Sequence, residues 1–159
     1  MRTPLFAAVV GAVLLAIAAA GCGSGSGSSS ATGALSGAEW RQEANAICRV
    51  SGRAIRDVRP ARRADEVSAF VAAVAPLWKQ ELDSTIALAP PDEIAATVAD
   101  YVGALNYLNR RLVELHIAAE RQDDSRLYNA GLVVQDAARD VKIKARSLRL
   151  PACAAQRIP

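Results

Sequence analysis

Aromatic side chains make up only 4% of this 159-residue chain, and it has one histidine, one methionine and three cysteines. Between Arg2 and Glu39 there is no formal charge at all, over 36 residues. Each scarcity excludes something. One histidine is too few for a ferritin-like di-iron bundle, which needs two Glu-x-x-His pairs and two further carboxylates. Three cysteines do not make a cysteine-dense scaffold. With 34 alanines and few aromatics, a core has to come from thin, closely packed elements. About 117 residues, from 37 to 153, have globular composition, enough for one modest core and too few for two. That length leaves no room for a Rossmann or barrel enzyme or for a polytopic membrane protein. Arginine outnumbers lysine 16 to 3, which suggests a GC-rich genome more than a function.

The uncharged N-terminus reads as an address. Met1-Arg-Thr-Pro gives a short positive start, and residues 5–20 form an apolar run of signal-peptide length. A permanent membrane helix needs about 20 apolar residues, and this run is shorter and ends in small ones. Ala19-Ala20-Gly21-Cys22 resembles the bacterial lipobox, in which the cysteine is lipidated and becomes the new N-terminus; Ala19 stands where leucine is usual. The other reading is plain secretion with Cys22 a stray thiol. The Gly/Ser stretch that follows is a flexible coil by composition. Its 14 residues to Ser36 span roughly 20 Å, which suits a tether between membrane and domain. The expected division is a leader at 1–21, lipidated Cys22 and tether at 22–36, and a folded domain at 37–159.

An odd cysteine count in an exported protein leaves one thiol to explain. Lipidation uses Cys22, leaving Cys48 and Cys153 as a pair in an oxidising compartment. Their disulfide would close a loop of about 105 residues, worth up to about 4.7 kcal/mol by chain entropy. Two buried free thiols are the alternative.

Four helical segments are predicted. Ser36-Gly-Ala-Glu39 fits a capping box, and Trp40, Ala44, Ile47, Ser51, Ala54 and Val58 then share a helix face up to Pro60. The second segment starts near Asp65 and carries Val67, Phe70, Val71, Val74, Leu77, Trp78, Leu82 and Ile86, with Pro76 inside it as an expected kink. Ala89-Pro90-Pro91-Asp92 breaks it, and Pro91 suits the opening of the third helix. There Ile94, Val98, Tyr101, Leu105, Leu108, Leu112, Leu115 and Ala119 keep strict 4-3 spacing. Gln122-Asp-Asp-Ser125 is a polar turn with carboxylates placed for the next N-terminus. The last stripe is Leu127, Gly131, Val134, Ala138, Val141, Ala145 and Leu148, closed by Pro151. Small residues at Gly131, Ala138 and Ala145 predict close approach to neighbouring helices. Short connections make the expected fold an all-α, antiparallel up-down four-helix bundle with one disulfide. In that arrangement the first and fourth helices are neighbours, which brings Cys153 toward Cys48.

Trp40-Arg-Gln-Glu-Ala-Asn-Ala-Ile-Cys48 and Leu148-Arg-Leu-Pro-Ala-Cys153 resemble paired elements of small exported helical proteins and lipoproteins of actinobacteria. The resemblance covers about residues 37–153. It implies a helical domain with one disulfide and carries no activity with it.

Functional candidates are few. His116 sits one position past the third seam, beside Val102 and Asn109, and reads as a boundary histidine; Glu114 points elsewhere around the helix. No Gly-x-Ser-x-Gly elbow occurs in the folded part, and the cysteines are not free for zinc. No enzyme, metal or cofactor is expected. Without the leader the side chains sum to 18 basic and 16 acidic, or +2, too mild for a dedicated nucleic-acid binder. Locally, Arg49, Arg53, Arg56, Arg59, Arg62 and Arg63 follow one another, and Arg139, Lys142, Arg146 and Arg149 keep helical spacing. Merged on adjacent helices they would face anionic lipid headgroups or an envelope protein; separately they are solvated faces. A third candidate is an apolar pocket opened by Pro76 beside Leu77, Trp78 and Tyr101, which otherwise are plain core. The reading is a lipid-anchored, extracytoplasmic binding or accessory module, with a carrier or sensor of a small apolar molecule as the alternative.

Overall fold

Residues 35–157 are described by a computed structural model. The leader, Cys22 and the tether as far as residue 34 lie outside the described residues. Ser36 starts helix α1 (Gly37–Asp57) with both halves of the capping box made: its hydroxyl accepts from Glu39 N–H, and the Glu39 carboxylate accepts from the Ser36 backbone N–H at 2.9 Å. The Ser36 hydroxyl also donates to the Glu39 carboxylate at 2.7 Å, and that bond, with the one from the backbone N–H, holds the Glu39 carboxyl below the usual carboxylate range. Ser36→Ala is expected to cost about 1 kcal/mol in urea unfolding, since one helix-end donor loses its acceptor; an unchanged midpoint would mean that water replaces the cap fully.

A 3-10 turn at Ala64–Glu66 leads into α2 (Val67–Ala87), which continues through Pro76 with the ring exposed. Helix α3 (Asp92–Glu120) opens after Pro91, and α4 (Asp124–Ser147) opens on Asp123, whose carboxylate accepts from Arg126 N–H at 3.0 Å. No described helix is long and apolar enough to cross a membrane.

All eight seam residues of α3 are buried, and Tyr101, Leu105, Leu108 and Leu112 have no exposed surface. Their neighbours in the core are Trp78 and Val74 from α2 and Val134, Ala138, Val141 and Ala145 from α4. Burial on this scale is the main stabilising term of a small bundle. Three expectations need correction. Gly131 is no point of close approach, because a methyl group there would meet nothing within 4 Å. Ile86 is 57% exposed, since the α2 seam passes instead through Glu81, Leu82 and Thr85. In α1 the buried face is Trp40, Ala44, Cys48, Ser51, Gly52 and Ile55, turned one position from the expected stripe, which leaves Ile47 and Ala54 only half-buried.

The cause of that turn is a fifth helix. Helix α4 ends at a left-handed Arg149 (φ 59°), where Leu150 N–H reaches back to Ala145 C=O at 2.8 Å. The chain then turns into α5 (Pro151–Ala154), with Pro151 in the first turn, where a missing N–H costs nothing. The last segment is thus helix rather than tail. Helix α5 packs on both α1 and α4 and stands between them, so α1 lies on α2 and α5 and α4 lies on α3 and α5. The two basic rows are exposed apart from half-buried Lys142, and the fifth helix separates their helices.

The Trp40–Cys48 element is the strip on which this closure is built. Trp40 Nε1 donates to the Leu88 carbonyl at the end of α2, at 3.0 Å. Arg41 Nε donates to the Leu148 carbonyl at the end of α4, at 3.1 Å. Asn45 Oδ1 accepts from Ala152 N–H at the start of α5, at 3.0 Å. One turn on, Cys48 is joined to Cys153 in a disulfide. At the next turn Gly52 makes room, since a β-carbon there would sit 3.2 Å from Gln156 Cγ. Helix-end carbonyls and N–H groups that lack intrahelical partners are satisfied by α1 side chains.

Candidate functional site

Beneath the disulfide the core holds a carboxyl group. Glu81 on α2 is 1% exposed. Its position follows from the 4-3-4 run Val74, Trp78, Glu81, Thr85, which places all four on one side of the helix. Oε2 accepts from the Ser51 hydroxyl of α1 and from Gln156 Nε2, the latter at 2.6 Å, and Oε1 lies 3.3 Å from the Tyr101 hydroxyl of α3. The Cys48 sulfur is 3.5 Å from Oε1 and 3.6 Å from the Tyr101 oxygen. Being in a disulfide it has no proton to give, so these are contacts only.

Donors from α1, from α3 and from the segment after α5 therefore converge on one buried carboxylate, and every one of them is neutral. Burial pushes the Glu81 carboxyl above its ordinary value, and the bonds from Ser51, Gln156 and Tyr101 pull it back in part. Burial, with the Glu81 charge, also raises Tyr101, which stays a phenol that donates. Gln156 Nε2 further faces the Cys48 carbonyl and Ser51 Oγ, each at 3.0 Å, while its Oε1 is buried with no partner. Acceptors outnumber donors in this cluster.

Ser51 and Glu81 also form the floor of a half-open groove of about 310 Å³ between α1 and α2. Its walls are apolar, from Ala46, Ile47, Val50, Ala54 and Leu77, and Glu43, Gln80 and Ser84 stand at the polar positions. Ile47 and Ala54 are half-buried because the α1 face is turned toward α5, which opens this side of the seam. No lining residue is basic. The volume is at the lower end of the range for small-ligand sites, and the mixture of apolar walls with few polar groups is usual for them.

The residues named from sequence fall in different places. Leu77 lines the groove; Trp78 and Tyr101 are fully buried core, and Pro76 is exposed and is not part of the groove lining. Two other features have site-like composition. His116 is half-buried, with Nδ1 3.4 Å from Ser68 Oγ and Nε2 3.3 Å from Glu120. That has the composition of a Ser-His-Glu triad, yet neither Ser68 nor His116 lines this groove or the three others of similar size. The α3–α4 groove is lined by Arg111, Arg121 and Arg126, of which Arg111 pairs with Glu114 at 2.7 Å and Arg126 with Asp123 at 3.1 Å. Among the described residues no group of three or more metal-ligating side chains occurs.

Sequence reasoning passed over Glu81 and Gln156. A carboxylate at a seam position of α2 was the available signal for the first; nothing short of the fold pointed to the second. Comparison with known protein families, with curated proteins and with solved structures finds no match to this chain.

Proposed function

We propose that this chain is a lipid-anchored, non-catalytic binding module on the extracytoplasmic face of the cell membrane, and that it takes a small ligand in the α1–α2 groove. The observation that carries the reading is the groove itself, which has apolar walls and a buried ionisable group at its floor. Structural seams in small bundles are filled with apolar side chains, and a buried carboxylate lacking a cationic partner lowers stability. Its presence beside an opening is a mark of a functional site. The disulfide suits an oxidising compartment. Cys22 supplies the anchor and the Gly/Ser stretch the reach. The resemblance to exported actinobacterial helical proteins fits the same place in the cell.

The test is native mass spectrometry on the chain exported with Cys22→Ser, purified without detergent. The expected spectrum shows a one-to-one adduct of small-molecule mass that Ala46→Trp, which fills the groove, removes. Bare protein in both cases would contradict a ligand-binding role. In the unaltered chain, labelled palmitate should be incorporated, and Cys22→Ser should abolish it.

A further inference from the structure

We infer that the ligand of the α1–α2 groove is a small organic cation, an ammonium group on an apolar body, whose charged end pairs with Glu81. The inference rests on the groove being the binding site, and it names the chemistry of the occupant. Charge complementarity is the first argument. The chain as a whole is basic, with 19 Lys and Arg against 16 Asp and Glu, yet this groove is lined by two carboxylates and no basic residue.

The second argument is the surplus of acceptors. An ammonium group has donors and no acceptor. The groups facing Glu81 are Ser51 and Cys48 on α1, Tyr101 on α3 and Gln156 two residues past α5, and none is a cation. Gln156 Oε1, buried in the same cluster, has no donor. A ligand that brought a carboxylate or phosphate would meet Glu43 and Glu81 and add acceptors where they are already in excess. A purely apolar ligand would leave the carboxylate without a partner charge. The apolar walls of Ile47, Val50 and Leu77 then take the body of the molecule, with the ammonium group toward Ser51 and Glu81.

Burial raises the Glu81 carboxyl, so its proton competes with the ligand for the same oxygens. Binding of a cation therefore tightens with rising pH and releases a proton near the Glu81 titration.

The experiment titrates the exported Cys22→Ser chain with n-octylammonium, n-octanol and n-octanoate below their aggregation limits, followed by amide NMR and calorimetry. Octylammonium is expected to bind one-to-one, shifting Ile47, Leu77 and Ser84, and to bind at least about tenfold more tightly than octanol or octanoate. Glu81→Gln, which keeps the side-chain shape, is expected to remove about tenfold of that preference and its pH dependence. Equal binding of all three probes, unchanged by Glu81→Gln, would overturn the cation and leave the groove as the site. Failure of all three to shift groove residues would overturn both. Thermal melts of Glu81→Gln show whether the variant is folded. If it is not, the pH dependence of octylammonium binding to the parent chain decides: no tightening between pH 5 and pH 8, the range spanning raised carboxyl titrations, overturns the inference.

Discussion

Replacing Cys48 and Cys153 together by alanine is expected to lower unfolding stability by about 3–5 kcal/mol. The bridge spans 105 residues of sequence, so it removes a large share of the unfolded chain's freedom. It also holds a helix that cannot hold itself. Pro151–Ala154 is a single turn, well below the length at which helices persist alone. Without the bridge, α5 keeps the Ala152–Asn45 bond and the Gln156 amide, each worth about 1 kcal/mol net. Urea unfolding under oxidising and reducing conditions measures the effect, with a midpoint drop of about 10 °C or more in parallel thermal melts. A loss under about 1 kcal/mol would mean that α5 docks by its own contacts. Loosening α5 should also admit water to Glu81 and bring its titration back toward the ordinary value of 4.5.

The second large effect concerns Glu81 itself. Glu81→Ala is expected to cost about 2–4 kcal/mol, because the Ser51, Tyr101 and Gln156 donors lose their acceptor in a buried cluster and a cavity opens beside them. Glu81→Gln behaves differently. The amide keeps the volume, and the two hydroxyls can reorient to accept from it, with Ser51 Oγ already 3.3 Å from the Ile47 carbonyl. Its signature is in the pH dependence. The folded state holds the Glu81 proton to a higher pH than the unfolded chain does, since burial raises this carboxyl above 4.5. The contribution of Glu81 to stability is thus fully present below pH 4.5. It is lost as pH rises through the folded value, by about 1.4 kcal/mol for each pH unit between the two. Subtracting the Glu81→Gln curve from the parent curve isolates this loss from the groups that titrate in the opposite sense, such as Glu39 and Asp65. A flat difference would mean that Glu81 titrates normally.

How much was legible depends on which force set each element. The α3 stripe is written in leucines at seam spacing, and all of it is buried. Ser36 and Glu39 form a local motif whose bonds lie within one turn, so four residues of sequence suffice to predict it. The disulfide followed from counting. What escaped was decided by distant partners. The face of α1 turns by one position because α5 docks on Asn45, Cys48 and Gly52, and α5 is too short to leave a periodic signal. The ends of α3 and α4 turn at left-handed Gln122 and Arg149, where glycine is the usual marker and neither position has it. Glu81 was passed over because a seam is traced through apolar residues, and a carboxylate at a seam position breaks the trace. That break is itself the clue to the site, since a polar residue at a core position is where function and stability pull apart.

The most direct measurement is an NMR titration of the Glu81 side-chain carboxyl in the exported Cys22→Ser chain, with and without n-octylammonium. A groove floored by a buried carboxylate that lacks a cationic partner predicts titration above the ordinary 4.5 for the free protein and a lower value with the amine bound. An ordinary value in both, with no response to the amine, would contradict a ligand site at Glu81 and leave the groove as a feature of packing alone.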